Sequence, residues 1–93
     1  MEEIKVKVVK AISGEDCEID VPVDATVGDV ILGLVNEGFL TADTQDTKNV
    51  LYNKDADGGY QSGVKYDDRS KTVKECGWQN GQSFIAVTEA VAG

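Results

Sequence analysis

Along the first forty residues the spacing of apolar side chains changes from one period to another. Ile4, Val6 and Val8 alternate with Lys5 and Lys7, and Cys17, Ile19 and Val21 alternate with Glu18 and Asp20, the period of two that buries one face of a strand. The stretch Ala11 to Asp16 turns the first run back onto the second, so a hairpin is predicted. Val21-Pro22-Val23-Asp24 is a strand exit, because proline donates no ladder hydrogen bond and holds the residue before it extended. The period then lengthens. Val27, Val30, Ile31, Leu34 and Val35 fall at i, i+3, i+4, i+7 and i+8, one stripe of an amphipathic helix. Thr26 is its N-cap, Asp29 places a carboxylate in the first turn in a capping-box-like arrangement, and Gly38 suits a C′ position with positive φ. Gly33 costs a helix about 1 kcal/mol against alanine. It is expected where a strand comes close.

The second half carries shorter signals. Thr41 to Lys48 reads as a polar surface loop, and Val50-Leu51-Tyr52 as a third, short strand. Asn53 to Gly63, rich in Asx and glycine, is expected as an exposed turn or insertion, with another short strand at Val64 to Tyr66. Ser70 to Cys76 reads as a turn of helix with Val73 inward and Gly77 ending it. After the turn dipeptide Asn80-Gly81, Ser83 to Val87 gives the last strand, and Thr88 to Gly93 is expected as a mobile tail. The layer arrangement this order allows is α+β, one helix across one face of a mixed four- to five-stranded sheet. Residues 1–87 form the domain and 88–93 the tail.

Composition narrows the chemistry. A chain of 93 residues is one domain, and at 41% hydrophobic and 28% charged it is expected to fold without metal or disulfides. A net charge of -8 argues against nucleic acid, and the absence of histidine removes the commonest general base. No apolar run suits a membrane helix or signal peptide, and Met1-Glu2-Glu3 is acidic where a signal would be basic. The expectation is a cytoplasmic monomer without cofactor that meets other proteins. Cys17 and Cys76 are expected to remain thiols, with Cys17 on the buried face of its strand. Asn53-x-Asp55-x-Asp57-Gly58 matches the first half of a calcium loop. Val64 stands where the bidentate glutamate belongs, so the stretch reads as a turn rather than a metal site. No catalytic constellation is present.

The pattern of hairpin, proline exit and Thr-capped helix resembles ubiquitin, with ubiquitin-like counterparts at Val21-Pro22, Thr26-Val27, Val30 and Leu34. Tyr66-Asp67-Asp68 and Lys71-Thr72-Val73 are similar to ubiquitin's Leu-Glu-Asp and Arg-Thr-Leu. The resemblance implies the β-grasp fold. It also implies a protein modifier, whose C-terminal glycine is adenylated by an E1-like enzyme, passed to E2-like cysteines and joined to an amine, after a processing peptidase where one is needed. Gly93 falls at the position of ubiquitin's terminal glycine, with Ala92 in place of the penultimate glycine and Glu89 in place of an arginine. Trp78 stands where ubiquitin has a core isoleucine, and Asp55 to Ser62 are extra. Asn53-Lys54-Asp55 and Cys76-Gly77 are closer to the YukD-type proteins of type VII secretion, which implies the alternative of a non-covalent interaction module with an incidental tail. A sulfur carrier is a more distant reading, and those usually end in Gly-Gly. The resemblance further implies an apolar recognition patch. If Phe84 and Ala86 face the helix, Ile85 and Val87 face away from it, beside Leu51. A register shifted by one would bury Ile85 and Val87 and expose Phe84 instead.

Overall fold

The computed structural model describes residues 2–54 and 60–91, with side chains for all of these but 60–64. Strands β1 (Glu3–Lys10) and β2 (Asp16–Pro22) form the first hairpin, helix α1 (Val27–Asn36) follows, and β3 (Thr47–Lys54) and β4 (Tyr60–Tyr66) form a second hairpin. The short helix α2 (Val73–Cys76) leads to β5 (Ser83–Ala90). The five strands make one mixed sheet in the order β2-β1-β5-β3-β4, with β1 and β5 parallel at its centre and the other pairs antiparallel.

Helix α1 follows its local signals. The Thr26 hydroxyl accepts from Asp29 N–H and the Asp29 carboxylate accepts from Thr26 N–H, both at 3.1 Å, so two of the helix's free donors are satisfied reciprocally. Val27, Val30, Ile31 and Leu34 are buried against the sheet, and Gly38 leaves the helix at φ 82°. A second capping box, Thr72 with Glu75, starts α2, and Gly77 closes it in the left-handed region. The N-caps themselves meet in an isolated bridge between Thr26 and Thr72.

Several boundaries differ from those the pattern predicts. Strand β3 begins at Thr47 and runs to Lys54, and β4 begins at Tyr60, so residues 53–54 and 60–63 of the expected turn or insertion are strand. Strand β5 continues three residues past Val87, with Thr88, Glu89 and Ala90 opposite Asn49, Lys48 and Thr47. Ladder pairing with β3 holds these weakly patterned residues, which carry no hydrophobic signal of their own. Gly33 meets no strand: a Cβ there would face open space. The close approach is at Gly28, where a Cβ would lie 3.2 Å from the Arg69 carbonyl oxygen, because Gly28 N–H donates to that oxygen at 3.0 Å.

The core lies between α1 and the sheet. Val6, Val8, Leu51, Phe84 and Ala86 reach it from the strands, and Val73 and Trp78 from α2 and the turn beyond it. Trp78 stacks at 4.2 Å on Phe84, and Tyr66 meets both rings edge-on at 5.3 and 5.5 Å. The Trp78 indole Nε1 is buried with no acceptor among the described residues, so aromatic packing rather than a hydrogen bond holds the ring. Burial pushes the Tyr66 phenol up, against the opposing pull of Gln82. Cys17 and Cys76 are free thiols, both half-buried against the core, and burial raises the Cys76 thiol.

Candidate functional site

The face of the sheet turned away from α1 is where the sequence places a recognition patch. Phe84 and Ala86 do face the helix, and Ile85 and Val87 lie on the opposite side, as strand alternation requires. Leu51 is not beside them. It pairs with Ala86, shares that residue's face, and is 0% exposed in the core. The β3 residues that do share the outer face are Val50, opposite Val87, and Tyr52, opposite Ile85.

This outer face is also less open than an apolar patch would be. The Tyr52 hydroxyl donates to Glu89 Oε2 in a short hydrogen bond, and Lys65 Nζ reaches Glu89 Oε1 at 3.1 Å while lying 6.0 Å from the Tyr52 ring centre. In the register Val50 and Val87 fall between Tyr52 and Glu89, so this bond arches over them. Val50 is 1% exposed and Ile85 7%. The Tyr52 hydroxyl, and after it Lys65, holds the Glu89 carboxyl below the usual carboxylate range, and Glu89 in turn raises Lys65. The arginine-to-glutamate difference noted at Glu89 thus has a structural use: a carboxylate can take both the phenol and the ammonium.

At the end of the sheet, Ile12 in the β1–β2 turn is 93% exposed. With Val87 from the outer face and Lys10, Leu40, Asn49 and Thr88 from the helix side it lines a cleft of about 390 Å³. An apolar residue in the otherwise polar turn 11–16 was the signal that could have found it. Gly93 and Ala92 lie outside the described residues, as do Asp55, Asp57 and Gly58 of the calcium-like stretch. Asn53, the first residue of that stretch, accepts instead from Gln82 Nε2 at 2.8 Å. No cluster of potential metal ligands occurs among the described residues, and no described helix is long and apolar enough to cross a membrane.

A single capped helix across a five-stranded mixed sheet with a central parallel pair defines this chain as a ubiquitin-like β-grasp protein. Among solved structures it is similar to the ubiquitin of Caldiarchaeum subterraneum, at 26% identity and TM-score 0.67, over 99% of this chain and 100% of that one. It is also similar to the ubiquitin-like domain of yeast Ddi1 (18% identity, TM-score 0.68, 100% and 99% covered). A ubiquitin-like domain from Arabidopsis thaliana shares the fold at 14% identity and TM-score 0.69, over 98% and 82% of the two chains. No family model matches the sequence, and no curated protein matches it.

Proposed function

We propose that this chain is a protein modifier of the ubiquitin type, conjugated through Gly93 in the cytoplasm, and that it is a substrate and partner of enzymes rather than an enzyme itself. The observation that carries this reading is the end-to-end similarity to an archaeal ubiquitin, which covers all of that chain at 26% identity. In the chemistry this implies, an E1-like enzyme converts the Gly93 carboxylate and ATP to an acyl adenylate and pyrophosphate. A cysteine thiolate of that enzyme displaces AMP to give a thioester, a cysteine thiolate of an E2-like enzyme displaces the first thiolate, and a target amine displaces the second to give an amide. Glycine suits the reacting position because the absence of a Cβ leaves the carbonyl open to the nucleophile. Ala92 adds only a methyl group beside it.

The test is intact-mass analysis of the protein recovered from its native host, beside a form lacking Gly93. Adducts carried by the natural chain and absent from the shortened one are the expected result. If neither form carries an adduct, conjugation is overturned. The second reading is then a non-covalent module, favoured by the exposed Ile12 beside Val87, and Ile12→Asp should abolish capture of its partner.

A further inference from the structure

Strand β5 changes character just after Ala86. Phe84, Ile85 and Ala86 are paired on both sides, with Val8, Val9 and Lys10 of β1 and with Asn53, Tyr52 and Leu51 of β3. The last bond toward β1 runs from Ala11 N–H to the Ala86 carbonyl at 3.0 Å, and there the chain of β1 leaves into the turn that carries Ile12. Beyond it, among the described residues, Thr88, Glu89 and Ala90 are paired on one side only, with Asn49, Lys48 and Thr47.

The β3 half of that ladder is anchored independently of β5. Thr47 N–H donates to the Thr44 hydroxyl at 3.1 Å, and Thr44 N–H donates to the Thr47 carbonyl at 2.9 Å. Asn49 N–H donates to Asp43 Oδ1 and the Asn49 carbonyl accepts from Arg69. Bonded positions of an antiparallel ladder fall every second residue. Since Val91 N–H donates to the Asp46 carbonyl at 2.8 Å, the bonded position before it is Glu89, opposite Lys48, and Thr88 and Ala90 lie at unbonded ones.

Side chains add one further hold. Thr88, Ala90 and Val91 are exposed, whereas Glu89 is half-buried, its carboxylate accepting from the Tyr52 hydroxyl and lying 3.1 Å from Lys65 Nζ. Both contacts are of the charge-assisted kind. No described element packs on the face of the sheet away from α1, yet Val50 and Ile85 are buried there. The Tyr52 ring and the arch to Glu89 are their roof.

We infer that residues 88–91 are a flap, hinged at Val87 and latched by Glu89, that acts as an autoinhibitory cover on the sheet. Closed, it roofs the apolar strip of Val50, Ile85 and Val87. Open, it peels from β3, frees the Tyr52 side chain and turns that strip to solvent, while the doubly paired part of β5 stays in place. The boundary follows from the pairing: opening stops where the strand gains its second neighbour. None of this depends on conjugation through Gly93.

The experiment is amide hydrogen exchange, followed by NMR on the isotope-labelled full chain, with the dye anilinonaphthalene sulfonate as the probe of uncovered apolar surface. In the natural chain Glu89 and Val91 should exchange together, at least about tenfold faster than Ile85. Tyr52→Phe with Lys65→Met removes both partners of the Glu89 carboxylate at little change in volume. It should speed exchange at Glu89 and Val91 about tenfold more, leave Ile85 unchanged and raise dye fluorescence. Thr47 and Ala90 face each other at an unbonded pair, where Cα atoms come closest and a disulfide fits. Adding Thr47→Cys and Ala90→Cys to the unlatched chain should restore slow exchange and low fluorescence when oxidised, and lose both again on reduction. Unchanged exchange at Val91 in the unlatched chain, an equal rise at Ile85, or dye binding that persists in the oxidised lock would each overturn the proposal.

Discussion

Gly28 and Gly33 lie in the same short helix and should respond to the same substitution in opposite directions. At Gly33 an added methyl meets nothing, so Gly33→Ala should stabilise the fold by about 0.5–1 kcal/mol through helix propensity alone. At Gly28 the methyl would lie 3.2 Å from the backbone oxygen of Arg69, and Gly28→Ala should lose stability in the same urea titration. The cost of glycine at Gly33 is legible in the sequence, but the open space beside it is not, because that space is bounded by β2, a strand remote in the chain. Leu51 illustrates a related limit. Val50, Leu51 and Tyr52 form a continuous apolar run, which carries no alternation to say which residue faces inward. Pairing with Ala86 decides it. Where polar residues do alternate, as in β1 and β2, the inward set was legible residue by residue.

At the scale of elements, the loop between α1 and β3 is held by one polar knot. The buried Asn49 donates through Nδ2 to the Thr41 carbonyl at 2.6 Å and to Asp43 Oδ1 at 3.0 Å, while its own N–H donates to Asp43 Oδ1 at 2.9 Å. Arg69 joins from beyond β4, donating to Asp43 at 2.5 Å and to the Asn49 carbonyl at 2.7 Å. Asn49→Ala should therefore cost about 1–3 kcal/mol, since it strips partners from a buried site, and it should lower the urea midpoint without changing the slope. Both helices, and the capping box of α1, could be read from the chain because those signals lie within one turn. The knot could not, because Asp43 and Arg69 stand 26 residues apart. The same holds for the arch from Tyr52 to Glu89, which spans 37 residues, and for residues 60–63 and 88–90, which are strands only because β3 lies beside them.

The whole molecule carries a charge of -8 on a body with a radius of gyration of 12.4 Å, so mutual repulsion works against the folded state at neutral pH and low salt. Screening should raise the thermal midpoint as salt is added at pH 7. Acid acts in the other sense. Asp43, Asp68, Glu75 and Glu89 are each held below their ordinary values, by Arg69, Ser70, Thr72 and Tyr52 respectively. Groups depressed by folding contribute stability that is fully present above the unfolded carboxylate range, about pH 4, and is lost as pH falls through their folded values. The midpoint should thus fall modestly below about pH 4, since these carboxylates are largely exposed, and a midpoint that rises down to pH 2 would contradict the assigned partners. A different consequence attaches to the pairing of β5 as far as Ala90, with Val91 N–H tied to the Asp46 carbonyl at 2.8 Å. Measured as reach, Gly93 is only three residues beyond the last paired position, about 10 Å of fully extended chain, against about 20 Å if the leash began at Thr88. Under the conjugation proposed above, an enzyme acting on Gly93 would have to come almost to the rim of the sheet, or first unzip Glu89 from Tyr52 and Lys65 to lengthen the tether.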